Sequence, residues 1–342
     1  MDRKLKKYVA IDFGTSATRV YIQGLGVVFN EPTIYAWDIK TRKIIAAGLD
    51  AKRMIGKHNS SIKIERPIVG GVVASIETLK IFFAEILKKY EDKLQDSIIC
   101  IACSLSVTSL ERKALIDFAR HLGAYYVQVV DDVLLAGLGA GINVNEPEGV
   151  LVLDIGAGKA TAATIASGDV VSYKWTRTAG AVMDQEIIKF IRTKHNLAIA
   201  DSFGEQLKIK IGTLVKSKMP LKEKILGIEV LSGLPKEIYL TDTELTKILQ
   251  LSYNNITSLI TQLLEETPSE LTIDILRNGI TVTGGMGKLN GTKDFLEEYF
   301  EIPVKIAKNC LTTVIDGAIA YEKQVRKELE RKIEDKENLR SF

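Results

Sequence analysis

The chain has 342 residues, 46% of them hydrophobic and 26% charged, with a net charge of +3 at pH 7. That length supports two domains or one divided α/β body, and that charge is too small for a nucleic-acid-binding surface. No apolar run reaches the roughly 18 residues of a membrane-spanning helix, MDRKLKKYVAID lacks the apolar stretch of a secretory leader, and three cysteines fit a reducing, cytoplasmic compartment.

Residues 8–12, 18–23 and 26–29 read as a meander of short strands, separated by a Thr/Ser turn and by Gly24-Leu25-Gly26. TIYAWDI and KIIAAG form a second strand pair bridged by KTRK. Apolar residues at Ile76, Leu79, Phe82, Phe83, Ile86 and Leu87 predict a helix from Ile76 to Tyr90 with one buried face. SIICIACSL is a buried strand. Its Cys100 and Cys103 read as small core residues, because neither a second CxxC nor clustered histidines complete a metal set. Residues 107–122 repeat the helical period, YYVQVVDD is a strand, and VLLAGLGAGI is a helix ending near Gly141.

The polar NVNEPEG (143–149) reads as a junction, after which the pattern restarts. VLVLDI, a glycine turn, ATAATIA and GDVVSYKW are strands, and a helix runs from Ala181 to His195. A helix over 203–218, a β-rich stretch over 226–240 and helices over 242–265 follow. GITVTGGMGKLNG is a strand, a glycine turn and a helix start. Residues 322–342 predict a charged surface helix that frays, with Val325, Leu329 and Ile333 as a thin apolar stripe.

Strand–Asp–x–Gly–turn–strand therefore occurs twice, at VAIDFGTSATRVYI and VLVLDIGAGKATAATI. Two such halves facing each other would form a cleft with a phosphate loop on each wall. Glycine lets the backbone approach closely, so each turn can offer N–H donors to phosphate oxygens. A third glycine turn, TGGMGKLNG, adds to the case for a nucleotide. Asp12 and Asp154 are the candidate partners of Mg²⁺, which needs only one or two carboxylates beside phosphates; alternatively each caps its own turn. A Walker A loop is excluded, because Ala160 follows Lys159 and Leu153 stands five residues before Gly158. Arg3, Lys4, Lys6 and Lys7 form a basic arm. It is either a solvated tail or a weak electrostatic hold on an anionic membrane surface, about 1 kcal/mol per basic residue.

IDFGTSATRVYIQGLGVVFNEPTIYA resembles the opening of MreB, the bacterial actin homologue. ERPIVGGVVASIE, VVDDVLLAGLGAGINV, LVLDIGAGKATAATIASGDVV, TAGAVMDQEI and ITVTGGMGKLNG follow in the order of that family, from about Tyr8 to Tyr321. VVFNEPT and the chain length favour MreB over sugar kinases and the Hsp70 ATPase domain, which share the fold.

The resemblance implies an α/β, actin-like (duplicated ribonuclease H-like) fold, two lobes of two subdomains each around a central ATP/ADP and Mg²⁺ cleft. It assigns 1–30, 66–145 and 315–342 to subdomain IA, 31–65 to IB, 146–178 and 241–314 to IIA, and 179–240 to IIB. The implied phosphate turns are Gly14, Thr15, Ser16 and Ala17, and Gly156, Ala157, Gly158 and Lys159. Gly180, Ala181, Asp184, Glu205, Lys208, Gly284, Gly285, Met286 and Gly287 would surround the rest of the nucleotide. Without the family, Glu205 and Lys208 read as a solvated helix face. Asp132 matches the acid that positions or activates the attacking water, and Asp154 joins it as a catalytic candidate.

Two departures stand out. The family has Glu-Glu-Pro where this chain has Asp131, Asp132 and Val133, and Gly-Gly-Gly-Thr-Thr where it has Gly156, Ala157, Gly158, Lys159 and Ala160. Misplacing a catalytic group by about 1 Å costs about a hundredfold, so ATP binding with slow hydrolysis is expected. Lys159 either contacts phosphate or points to solvent. The leading expectation is a self-assembling cytoskeletal filament protein of the cytoplasm, peripheral to the inner membrane face in the second reading of the basic arm. The alternatives are a small-molecule kinase with Asp132 as its base, and a nucleotide-locked adaptor copolymerising with homologous filament proteins.

Overall fold

The structure, a computed structural model, describes residues 6–216 and 219–340. They fall into two compact units: one runs to Ile142 and resumes at Thr312, the other is Asn143–Leu311.

Unit 1 opens with β1 (Tyr8–Phe13), β2 (Ala17–Ile22) and β3 (Gly26–Pro32), an antiparallel meander. A small three-stranded sheet follows, made of β4 (Tyr35–Asp38), β5 (Ile44–Ala47) and, after helix α1 (Leu49–Met54), β6 (Ile62–Glu65). Ile34, Ala36 and Ala51 are its buried centre. The hairpin β7 (Ile68–Val69) and β8 (Val72–Val73) leads to α2 (Ile76–Leu87) and the short α3 (Glu91–Leu94). Next come β9 (Ile98–Cys103), α4 (Ser109–His121), β10 (Tyr126–Asp131) and α5 (Asp132–Gly139). Thr108 and Glu111 close a reciprocal capping box at the start of α4. The main sheet runs β10-β9-β1-β2-β3, with β9 and β10 parallel to β1.

Unit 2 repeats the plan. β11 (Val150–Ile155), β12 (Ala160–Ala166) and β13 (Asp169–Thr176) form the second meander. Then come α6 (Gly180–His195), β14 (Leu197–Ala198), α7 (Ser202–Ile211), the hairpin β15 (Lys222–Glu229) and β16 (Pro235–Thr241), and α8 (Asp242–Glu266). α9 (Ser269–Asn278), β17 (Ile280–Thr283), α10 (Thr292–Phe300) and β18 (Val304–Ile306) complete it. Its main sheet is β13-β12-β11-β17-β18, the order of unit 1 with each strand replaced by its counterpart. The chain then re-enters unit 1 as α11 (Thr313–Ala320) and α12 (Glu322–Arg340).

β1, β9, β11 and β12 are buried along nearly their whole length because both faces are covered. In unit 1, α11 lies on β1, β2, β9 and α5. Two glycines permit that helix crossing. A Cβ on Gly139 would fall 1.9 Å from the Thr313 carbonyl oxygen, and one on Gly317 would fall 1.8 Å from that of Leu135.

Several sequence expectations need correcting. α7 stops at Ile211, seven residues before the expected end, because Gly212 turns the backbone extended (φ −69°, ψ 133°). Residues 242–266 are one helix rather than several. The stripe of α12 is packed rather than merely superficial: Val325 is fully buried and Arg326 reaches the Lys6 carbonyl. Cys100 and Cys103 are core residues of β9, and burial pushes the Cys100 thiol up to about 12, far from a reactive thiolate. Of the basic arm, Arg3 and Lys4 lie outside the described residues. Lys6 is turned into the fold: its ammonium pairs with Asp96 and sits 3.9 Å from the Tyr125 ring centroid.

Candidate functional site

The two Asp-x-Gly hairpins share one construction. In the first, the Gly14 N–H donates to the Ala17 carbonyl at 3.0 Å; in the second, the Gly156 N–H donates to the Lys159 carbonyl at 2.9 Å. Each closes three residues on, and each follows a strand whose penultimate residue is a buried aspartate, Asp12 or Asp154. The residue paired across the hairpin from each aspartate is also equivalent: Arg19 opposite Asp12, Thr161 opposite Asp154. Directly opposed residues project from the same sheet face.

Both of these opposed residues carry an unsatisfied polar atom. Arg19 Nε and Thr161 Oγ1 are buried and have no hydrogen-bond partner among the described residues. A buried group without a partner costs about 1–3 kcal/mol. Finding such a group at the same place in two hairpins is what a site built to receive polar atoms leaves behind.

The first turn is braced from β3 and its neighbours. The Thr33 hydroxyl donates to the Gly14 carbonyl at 2.6 Å, and the Thr33 N–H donates to the Ser16 carbonyl at 3.1 Å. Thr15 Oγ1 accepts the Gly71 N–H at 2.8 Å, tying the turn to the β7–β8 hairpin. Asp12 is held by Arg19, whose Nη1 lies 2.9 Å from Oδ2.

The second turn is stitched to the start of α6. The Gly180 N–H donates to the Gly156 carbonyl at 3.1 Å, and the Ala181 N–H to the Ala157 carbonyl at 2.7 Å. Lys208 of α7 reaches the same point, 2.8 Å from the Gly180 carbonyl and 2.7 Å from Asp184. A Cβ on Gly180 would sit 3.1 Å from Lys208 Nζ and 3.3 Å from the Ala157 Cα. Burial raises the pKa of Asp184, with Lys208 drawing it back and Glu205 adding to the rise. Gly180, Asp184, Glu205 and Lys208 are thus gathered into one cluster. Lys208 is 7% exposed, which removes the solvated-face reading for it. Lys159 is 8% exposed, so it does not point to solvent.

The third glycine turn abuts Asp154. Thr283 Oγ1 donates to Asp154 Oδ1 at 2.9 Å. Gly284 has φ +80°, and a Cβ there would meet the Ile155 carbonyl oxygen at 2.4 Å and Asp154 Oδ1 at 2.7 Å. Gly285 and Gly287 belong to a short 3₁₀ turn, Gly285–Lys288. Met286 is packed in the unit 2 core.

Asp132 begins α5, where a negative charge suits the helix dipole. Its neighbour Asp131 is held by the Arg112 guanidinium of α4. The start of α5 is thereby tied to α4 through the residue that precedes it.

A divalent ion must be assembled from few protein groups, since no cluster of three or more His, Cys, Asp or Glu suited to a metal occurs among the described residues. Mg²⁺ with phosphate oxygens and one carboxylate meets that condition. Asp154 fits it: it is fixed by Thr283 and faces the unsatisfied hydroxyl of Thr161. Asp12 fits poorly, because a guanidinium already occupies its Oδ2. Sequence reasoning missed Arg19, Thr161, Thr283 and Arg112. The first two could be found by counting seven residues on from each aspartate.

The family model for MreB/Mbl protein matches residues 6–330. The chain is 33% identical over 311 residues to the cell shape-determining protein Mbl of Bacillus subtilis, covering 90% of this chain and 93% of Mbl. It is 30% identical over 316 residues to the cell shape-determining protein MreB of Escherichia coli, covering 90% and 91%. The crystal structure of Spiroplasma citri MreB5 bound to ADP is similar at 38% identity and TM-score 0.92, over 96% of this chain and 99% of that one. The same protein bound to AMPPNP is similar at 37% identity and TM-score 0.92, with the same coverage. A MamK double helical filament matches at 17% identity and TM-score 0.78, over 93% and 99%, a likeness of fold alone.

Proposed function

The chain belongs to the MreB/Mbl family and has an actin-like fold; from that premise we propose that it binds ATP or ADP and assembles with its own copies into filaments serving cell shape or motility. One observation carries the nucleotide reading. Two equivalent hairpins each present a glycine turn, a buried aspartate and, opposite it, a buried polar atom without a partner. The MreB5 structures, bound to ADP and to AMPPNP, support the same ligand class.

In this reading the turn Gly156–Lys159, Gly180, Ala181 and Lys208 hold phosphate and nucleoside in unit 2, and Gly14–Ala17 does so in unit 1. A divalent ion, when bound, neutralises phosphate oxygens, and Asp154 is the residue that would hold it. Asp132 orients the attacking water from one methylene further back than a glutamate would. Lys159 and Ala160 supply no hydroxyl to share that task. Hydrolysis is therefore slow. The same departures support a second reading, a non-cycling partner that copolymerises with active homologues.

The proposed subdivision keeps 31–65 and 179–240 as the smaller parts of the two units. The first has its own sheet and buried centre. Peripheral, salt-sensitive membrane attachment would have to do without Lys6, which is engaged by Asp96 and Tyr125.

Calorimetry with ATP and ADP, followed by sedimentation in each nucleotide, tests the proposal. Binding heat and a nucleotide-dependent pellet are expected. No heat with either nucleotide would overturn it.

A further inference from the structure

Asp12 and Arg19 face each other across the first hairpin, and their contact is direct: Nη1 to Oδ2, 2.9 Å. Both side chains are nearly enclosed, 11% and 14% exposed. A guanidinium keeps its charge at every accessible pH, so the carboxylate never stands uncompensated. Of the donors on Arg19, Nε–H is buried and has no acceptor among the described residues. The second hairpin differs at the equivalent place, where Thr161, a neutral hydroxyl, stands opposite Asp154.

A carboxylate and a triphosphate brought side by side repel each other unless a cation lies between them. In the second hairpin that cation must come from solution or from a neighbouring side chain. In the first it is part of strand β2. Arg19 also has the geometry to go further, because its planar fork can bind carboxylate on one edge and a phosphate oxygen on another.

We propose that Arg19 is a built-in counter-cation of the first hairpin: it neutralises Asp12 in place of a divalent ion and offers its unused N–H to a phosphate oxygen. The first hairpin therefore needs no metal of its own, and a divalent ion serves Asp154 alone. The inference rests on the nucleotide-binding reading and adds to it which charge does the work.

The test is the Kd for ATP in magnesium and in EDTA, read by calorimetry, for the wild-type chain, R19L and the double variant R19L/D12N. The ratio of the wild-type Kd in EDTA to that in magnesium gives the baseline set by Asp154. R19L should bind in magnesium, and its ratio should exceed that baseline by about tenfold or more, because Asp12 then repels the phosphates. Removing that carboxylate as well, in R19L/D12N, should return the ratio to within about threefold of the baseline. An equal EDTA response in wild type and R19L overturns the inference. So does an R19L/D12N response as large as that of R19L. Absence of binding by the wild type in magnesium would instead remove the nucleotide reading itself.

Discussion

Lys208 Nζ lies 2.7 Å from the Asp184 carboxylate and 2.8 Å from the Gly180 carbonyl, joining α7 to the first turn of α6. Removing the cation leaves a largely enclosed carboxylate and a carbonyl without their donor. The variant K208M should lose about 2–3 kcal/mol of stability, less than a fully buried pair because Asp184 retains some solvent. A urea denaturation midpoint reads this directly. A loss below about 0.5 kcal/mol would mean that the pair is only a surface contact.

Glu244 gives a pH dependence whose sign is fixed. Burial opposes its ionisation, but hydrogen bonds from Lys194 and from the backbone and side chain of Thr241 outweigh it and draw the carboxyl down from 4.5 to about 2. A depressed carboxyl stabilises the fold fully above its unfolded pKa and loses that contribution as pH falls through the folded one. The stability gap between the wild type and E244Q should therefore be constant above 4.5 and close progressively toward about 2. A gap that widens in acid would contradict the assignment.

The crossing of α5 and α11 tolerates no side chain at its closest point. G317A should destabilise unit 1 by about 3 kcal/mol or more, since the new methyl meets the Leu135 backbone rather than a movable side chain. Thermal unfolding measures the effect. An unchanged Tm would show that the helices separate without cost.

The slow turnover proposed above rests on three residues, so restoring them should raise the rate. The variant D132E/K159T/A160T should release phosphate from ATP at least about tenfold faster than the parent chain. D132E alone should give a smaller gain. A triple variant no faster than wild type would place the barrier elsewhere.

Much of the fold was readable because its signals are local. Asp12 and Gly14, and Asp154 and Gly156, each sit at the end of an apolar strand, and the alternation in TRVYI marks β2. Family membership and the actin-like fold also followed from these segments. What escaped was set by distance. α11, TVIDGAIA, has no clean period, because Gly317 is selected by the backbone of α5 rather than by a helical pattern. The end of α7 was misplaced because Leu214 and Val215 continue the apolar spacing past Gly212. No local pattern in the sequence singles out Arg19. Only the register, which sets it opposite Asp12, gives it a role.

Unit 2 is one uninterrupted stretch of chain, whereas unit 1 waits for its last helices. The Tyr8 hydroxyl donates to the Ala318 carbonyl at 2.6 Å, across 310 positions of sequence. During synthesis the first strand therefore leaves the ribosome long before the residue that completes its packing. The contiguous half is free to mature in the meantime. Any chain cut short before Thr312 would leave the flank of α5 around Gly139 without the helix that covers it.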